Sequence, residues 1–493
     1  MNETPVLVGI SQLEQRLEQS GSEPPGGKEP VELMIDAVVA AAEDAGCPRL
    51  LQAASSIRVI RGLWPYKNPA KAVGEAIDNT TAETCLTPWG GNFVQTTLNS
   101  SALEIQSGRN DVIIITGAEC GNTQAKARRA GLNARKDLNW RSIEGSPDRL
   151  IGVEQAMAHP AEIALGLLQP IQMYPMFENA LRHHLGESID DHIRRVSELW
   201  AGFSRVAADN PHAWIREAKT AEEIRTVSDV NRPVSLPYPK FMNSNNNVDQ
   251  AAALIMCSAS TARKLGIARE KMIYPWSGAD AHDHYFVSNR DNFHSSPAIR
   301  FAGARALEMA GLTVHDLAHV DLYSCFPVAV QVAARELGID MSRPLTVTGG
   351  LTFAGGPLNN YVMHSIARMA QLLRAAPAEK GLITANGGYL TKHAIGIYSA
   401  EPPAKPFQHA DLQPAVDATP AREIIADYHG EATVESYTVM YAGEGPRTAY
   451  LSALTDEGQR VWATCEDPQV HDAMACEEFC GRRTRIVKNL ANF

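Results

Sequence analysis

TGGLTFAGGPLNNYVMH, residues Thr348 to His364, sets two glycine pairs around an apolar turn and then runs into a segment with helical spacing over Tyr361–Arg374. Without Cβ atoms the paired glycines let the backbone adopt positive φ and approach a ligand closely. Beyond that helix the apolar run Gly381–Ala385, GLITA, predicts a buried strand, and it ends in a second glycine turn, Asn386-Gly387-Gly388. Glycine loops at strand ends are where α/β proteins build sites for carbonyl oxygens and phosphates. The pattern predicts an active-site floor.

Working outward, the same pattern occurs twice. In the first copy Pro30-Val31 opens an amphipathic helix that stops at Gly46, and a β-branched run begins at Ile57. The glycine turn Gly90-Gly91-Asn92, a helix over Val94–Ser107 and the strand run Asp111–Gly117 follow. In the second copy Pro297 opens a helix that stops at Gly311, His319–Tyr323 makes a strand, and the glycine turn, helix and strand quoted above complete it. Proline at the start and glycine at the end are helix punctuation. A repeat of this kind predicts two fused α/β units, each burying near-continuous apolar strands between helices.

Between the copies, residues 120–247 are rich in Arg, Met, Trp, His and Pro and predict helices over Ala161–Leu168, Met176–His184 and His192–Phe203. A long insertion between core units reads as a lid or substrate region. After Tyr398 the run Glu401-Pro-Pro-Ala-Lys-Pro marks a linker, and Ala432–Tyr441, Thr448–Ala453 and Arg485–Val487 read as strands of a small β domain. The division expected is therefore 1–119 and 248–280 for the first half, 120–247 for the insertion, 281–400 for the second half, 401–412 for the linker and 413–493 for the tail.

Composition narrows the class. With 44 % hydrophobic and 20 % charged residues over 493 positions, the chain matches a multi-domain globular enzyme. A formal net charge of −11 and the lack of a long basic run argue against a nucleic-acid partner. No stretch approaches the roughly 20 apolar residues of a membrane span. The start, MNETPVLVGISQ, does not read as a signal peptide, and the eight scattered cysteines read as reduced thiols, so a cytoplasmic location is expected. Cys465, Cys476 and Cys480 lack the companions of a zinc site, and no metal is expected.

These residues together resemble the thiolase superfamily, over roughly Pro5 to Ala400. SGRNDVIIITGAE (Ser107–Glu119) is similar to the family's strand after the nucleophile helix, and NSNNNVDQAAA (Asn243–Ala253) to its pantetheine-contacting loop. The tail resembles the extra OB-like domain of thiolase-like proteins of type 1. The resemblance implies a duplicated thiolase fold, two βαβαβαββ-type units layered α-β-α-β-α, with a helical insertion and an OB-like tail. It also implies acyl-CoA as substrate or ligand, no permanently bound cofactor, and membership of an acyltransferase family linked to lipid metabolism, resembling acetyl-CoA acetyltransferases. The family usually dimerises through its core, and the added tail could cover that surface, so a homodimer is expected with a monomer left open.

The catalytic motifs depart from the family pattern. By alignment its nucleophilic Cys falls at Gly91, the His of its Gly-His-Pro in Gly355-Gly356-Pro357, and its second Cys at Asn386. Tyr323 stands where the family uses an amide or imidazole in an oxyanion hole. Ping-pong acyl transfer needs an acyl-enzyme, which neither Gly91 nor Asn92 can form. The residues expected to do chemistry are Tyr323, His393 and Asn386; those expected to line the substrate are Gly91, Asn92, Asn245, Gly355, Gly356 and Gly387. Asn92 and Asn386 are expected to offer amide donors, and Gly91 and Gly355 to face one cavity. Plainer roles stand beside these: Tyr323 as a core tyrosine, His393 as a hydrogen-bonded structural imidazole, Cys325 as packing. Three functions follow: an acyltransferase with an unusual site, a retro-aldol lyase on a β-hydroxyacyl-CoA using Tyr323, and a non-catalytic CoA-thioester binder. The lyase reading draws on steroid side-chain-cleaving aldolases, which resemble thiolases without the nucleophilic Cys.

Overall fold

The computed structural model describes residues 3–17, 26–134, 136–441 and 448–493. Its two core sheets repeat one hydrogen-bonding path. In the first, Pro5–Glu14 runs antiparallel to Asp249–Ser258, which runs antiparallel to Val112–Cys120, which lies parallel to Ser56–Val59. In the second, Tyr274–His282, Lys392–Ser399, Lys380–Gly387 and His319–Asp321 follow in the same order with the same directions. The repeat read from the sequence is thus a repeat of topology. Leu7 and Ile273 exchange both backbone hydrogen bonds, 2.8 and 2.9 Å, and stitch one sheet to the other.

The helices Phe93–Gln106 and Tyr361–Ala375 each touch both sheets, so they form the middle layer. Pro30–Asp44 and Pro297–Ala310 cover the outer faces, which gives the five layers α-β-α-β-α. Both outer helices carry proline in the first turn, where its missing N–H costs nothing, and Pro297–Ala310 stops on Gly311 at φ +68°. Every residue of Val112–Cys120 is buried. Ile113 and Ile115 pack into one core, while Val112 and Ile114 pack into another, because successive side chains of a strand point to opposite faces. Each such side chain contributes about 1.5–3 kcal/mol by leaving water.

In the insertion the main helices are Pro170–Leu185 and Ile189–Asp209. The first expected helix there is shorter than its sequence pattern, Pro160–Ala164, with Gly166 at φ +70° just beyond its end. The stretch read as a linker contributes the strand Gln408–Asp411, which pairs with the edge of the second sheet. The tail builds its sheet from His429–Met440, Thr448–Leu454, Arg460–Cys465, Arg483–Val487 and Leu490–Asn492, with the short Ile424–Ile425 at its edge. Two short strands of the insertion, Pro233–Ser235 and Tyr238–Pro239, extend that sheet. Arg460 fastens the tail to the core: its buried guanidinium pairs with Glu435 at 2.6 Å and donates to the carbonyl oxygens of Val287, Ser288 and Arg290. No helix among the described residues is long and apolar enough to cross a membrane.

Candidate functional site

Glycine turns from both halves meet the insertion around a cavity of about 330 Å³. Its floor is Gly90 and Gly91 from the first half and Asn386, Gly387 and Gly388 from the second, with Tyr323 and Cys325 beside them. Tyr174 and Met157 of the insertion, and Ser244 and Asn246 of the loop before the strand Asp249–Ser258, close it.

Gly91 is held by close approach. A Cβ there would lie 2.5 Å from the main-chain oxygen of Asn386 and 2.7 Å from Tyr323 Oη. The space a cysteine would occupy is therefore filled by a carbonyl and a phenol. The main-chain N–H of Tyr323 donates to Thr384 Oγ1 at 2.8 Å, and its ring meets Tyr361 edge-on at 5.6 Å. Tyr361 is itself fixed by Thr348 at 2.6 Å. Tyr323 Oη has no protein hydrogen-bond partner among the described residues and faces the cavity. Burial, reinforced by Cys325 and Tyr361, pushes its pKa well above that of a free phenol.

Tyr174, which the sequence reading did not single out, anchors the second glycine turn. Its hydroxyl donates to Gly388 O at 3.2 Å and accepts from Asn386 Nδ2 and Leu390 N, both at 2.8 Å. Its ring stacks on Phe326 at 4.6 Å. Asn386 thereby spends its amide donor inside the wall, since Nδ2 also meets Cys325 Sγ at 3.8 Å. What remains free and buried is its acceptor, Oδ1. Burial pushes the Cys325 thiol up to about 12, so it stays protonated and a poor nucleophile.

Other expected residues lie behind the wall. Asn92 occupies the N-cap position of the helix Phe93–Gln106 without a side-chain capping bond, its Oδ1 buried against Gly90 and Gly387 and unpartnered. Gly355, at φ +112°, abuts the side chain of Gln250, so it and Gly91 do not face one cavity. Gly356 N donates to Asn245 O at 2.9 Å, which ties the two loops together; it is the neighbour Asn246 that reaches the cavity. Just past the turn, Leu358 does line the cavity and holds the left-handed φ of +45°.

His393 is buried away from the cavity, against Leu390 O at 3.2 Å and Asp283 Oδ2 at 3.7 Å. Burial alone would raise the Asp283 carboxyl; Arg290, at 3.1 Å, and His393 hold it below the usual range. Strand alternation explains the placement: His393 and Lys392 leave opposite faces of Lys392–Ser399. It is Lys392 that packs behind the floor, next to Gly90, donating to Trp89 O at 2.7 Å and lying over the Phe93 ring at 5.3 Å. Burial lowers its pKa. The alternation of the strand was the available signal for it.

Against known proteins, residues 411–489 match the additional C-terminal domain of thiolase-like protein type 1. Over 99 % of both chains the fold superposes, with a TM-score of 0.83 and 31 % identity, on a monomeric SCP2-thiolase like protein type 1 from Mycobacterium smegmatis. The chain belongs to this family of thiolase-like proteins. An acetyl-CoA acetyltransferase of Methanothermobacter thermautotrophicus is 23 % identical over 326 residues, 61 % of this chain and 76 % of its own. The Ltp2-ChsH2(DUF35) aldolase shares the fold, with a TM-score of 0.60 and 17 % identity over 81 % of this chain and 98 % of its own. The family member and the acetyltransferase together place the chain in the thiolase superfamily, with a duplicated thiolase fold and an added β domain.

Proposed function

We propose that the cavity binds a CoA thioester without forming an acyl-enzyme, with Tyr323 Oη donating a hydrogen bond to the thioester oxygen. The observation that carries this reading is the pair of distances at Gly91: the site of the family's thiol is taken up by Asn386 O and Tyr323 Oη. The unpartnered phenol stands where thiolases polarise a carbonyl, and its raised pKa keeps it a neutral donor at pH 7. Tyr174 and Cys325 are also neutral there, and no carboxylate, imidazole or ammonium lines the cavity among the described residues. Titrating acetyl-CoA into the protein and into Tyr323→Phe tests this. Loss of one hydrogen bond, about 0.5–1.5 kcal/mol, should weaken binding by roughly two- to tenfold with no change in unfolding. Equal affinity in both proteins refutes the role of Tyr323.

The free acceptor of Asn386 favours one second reading, retro-aldol cleavage of a β-hydroxyacyl-CoA. Asn386 Oδ1 first accepts the hydrogen bond of the β-hydroxyl, Tyr323 as its phenolate then takes that proton, and the Cα–Cβ bond breaks to give a carbonyl product and a thioester enolate. The enolate then takes a proton to give the shortened acyl-CoA. Because the tyrosine pKa values are raised, such cleavage should keep accelerating up to at least pH 10. A rate that levels off near neutrality, followed by mass spectrometry of the products, counts against phenolate chemistry.

A further inference from the structure

A second cavity, of about 650 Å³, lies on the other side of Trp89, which lines both. Its walls are the loop Arg61–Pro65, which follows the strand Ser56–Val59, Gln124 and Arg128 of the helix Gly121–Arg129, and, beyond that helix, Leu132–Ala134 and Trp140. Three indoles, Trp64, Trp89 and Trp140, face into it with the aliphatic side chains of Leu63 and Leu132. Trp64 is locked by its Nε1 bond to Ala118 O at 3.1 Å and by stacking on Tyr66 at 5.2 Å. Pre-positioned indoles stack flat ring systems at little ordering cost.

The same walls carry Arg61 and Arg128, and neither guanidinium has an ion pair or side-chain hydrogen bond among the described residues. Unpartnered guanidinium groups beside aromatic faces suit a planar anion. The sequence there is mainly basic, with one nearby carboxylate, Asp137, which accepts from the main-chain N–H of Asn133 at 2.6 Å. From Gly121 to Lys136 the sequence GNTQAKARRAGLNARK holds five cationic residues and no acidic one, in a chain whose net charge is −11. Glu119 is buried behind the loop and accepts from Leu63 N at 2.8 Å. Burial pushes its pKa up to about 8, so near pH 7 it places little negative charge under the cavity.

We infer that this second cavity is a binding site for a flat ring system bearing an anionic group, held between the tryptophans and the guanidinium groups of Arg61 and Arg128. Two sources share that chemistry. One is the nucleotide half of CoA; the other is an aromatic or polycyclic acyl group ending in a carboxylate. The shared wall at Trp89 lets either be the far end of a molecule whose thioester sits beside Tyr323. This goes beyond the thioester reading, and probes that carry no thioester separate the two.

The test is titration of the full chain with ADP and, separately, with 2-naphthoate, followed by tryptophan fluorescence and calorimetry. Saturable binding of either, weakened on the order of tenfold in Arg61→Ala/Arg128→Ala, is the expected result. Trp140→Ala should weaken it as well, and Tyr323→Phe should leave it unchanged. Tighter binding of ADP assigns the cavity to the nucleotide, tighter binding of naphthoate to the acyl end. Absence of saturable binding by both, or binding untouched by the arginine pair, overturns the inference. The parent and the variants are compared by urea unfolding, and Arg61→Gln/Arg128→Gln provides a second charge-neutral pair if the alanine pair is unstable.

Discussion

Replacing Gly91 by alanine puts the geometry of the floor to a quantitative test. The new methyl carbon would lie 2.5 Å from Asn386 O and 2.7 Å from Tyr323 Oη. Favourable contact needs roughly 3.5 Å, so both neighbours must give by most of an ångström. Overpacking of this kind costs about 1–3 kcal/mol. Gly91 is not among the residues with positive φ, so alanine also removes freedom from the unfolded chain and offsets about 0.4–1 kcal/mol of that. The net expectation is destabilisation by about 1–2 kcal/mol. Tyr323→Phe removes only one of the two obstacles, because the other is main chain. In the Gly91→Ala background it should recover part of the loss and leave a coupling of about 0.5–1 kcal/mol. Urea unfolding followed by tryptophan fluorescence measures all four corners of the cycle. Gly91→Ala as stable as the parent would refute the reasoning, as would Gly91→Cys gaining thiolytic activity.

Glu119 makes stability depend on pH. Its pKa is raised by burial from 4.5 to about 8, so the folded state favours the protonated form. The stability it contributes is fully present below about pH 4.5 and is lost as pH rises through about 8. Glu119→Gln keeps a neutral acceptor for Leu63 N. Its stability relative to the parent should therefore climb between pH 5 and 8, by up to about 1.4 kcal/mol per pH unit, and level off above; a constant gap would contradict this. Arg460→Met should cost about 3 kcal/mol, because it leaves Glu435 and three carbonyl oxygens at the tail–core junction without their donor. Lys67→Ala, at the exposed pair with Glu144, should stay within about 0.5 kcal/mol by the same unfolding assay.

The sequence made the repeat legible because its markers are local: proline at Pro30 and Pro297, glycine at Gly46 and Gly311, and apolar runs such as Val112–Gly117. Strands such as Asp249–Ser258 and Lys392–Ser399 were harder to see. They mix small or polar residues into an apolar run, and only pairing with strands distant in sequence, Pro5–Glu14 and Val112–Cys120 for the first and Tyr274–His282 for the second, makes them central. At the site, Gly91, Tyr323, Asn386 and Gly387 come together as the aligned motifs suggested. His393 is expected to face the cavity because it closely follows the second glycine turn, but the strand's alternation turns it away and packs Lys392 behind the floor, against Trp89 O. Tyr174 left no local trace, since its place depends on how the helix Pro170–Leu185 docks over Gly388. The direction of the Asn386 amide was equally out of reach, because the partner that claims its donor is Tyr174.

The central claim is that this thiolase fold holds a CoA thioester without bonding to it. Intact mass spectrometry of the protein mixed with acetyl-CoA, under native and then denaturing conditions, tests it most directly. The account predicts a native complex of one CoA thioester per chain that vanishes on denaturation and leaves the protein mass unchanged. An acyl adduct that survives denaturation, or no complex at ligand concentrations saturating for related proteins, would contradict it.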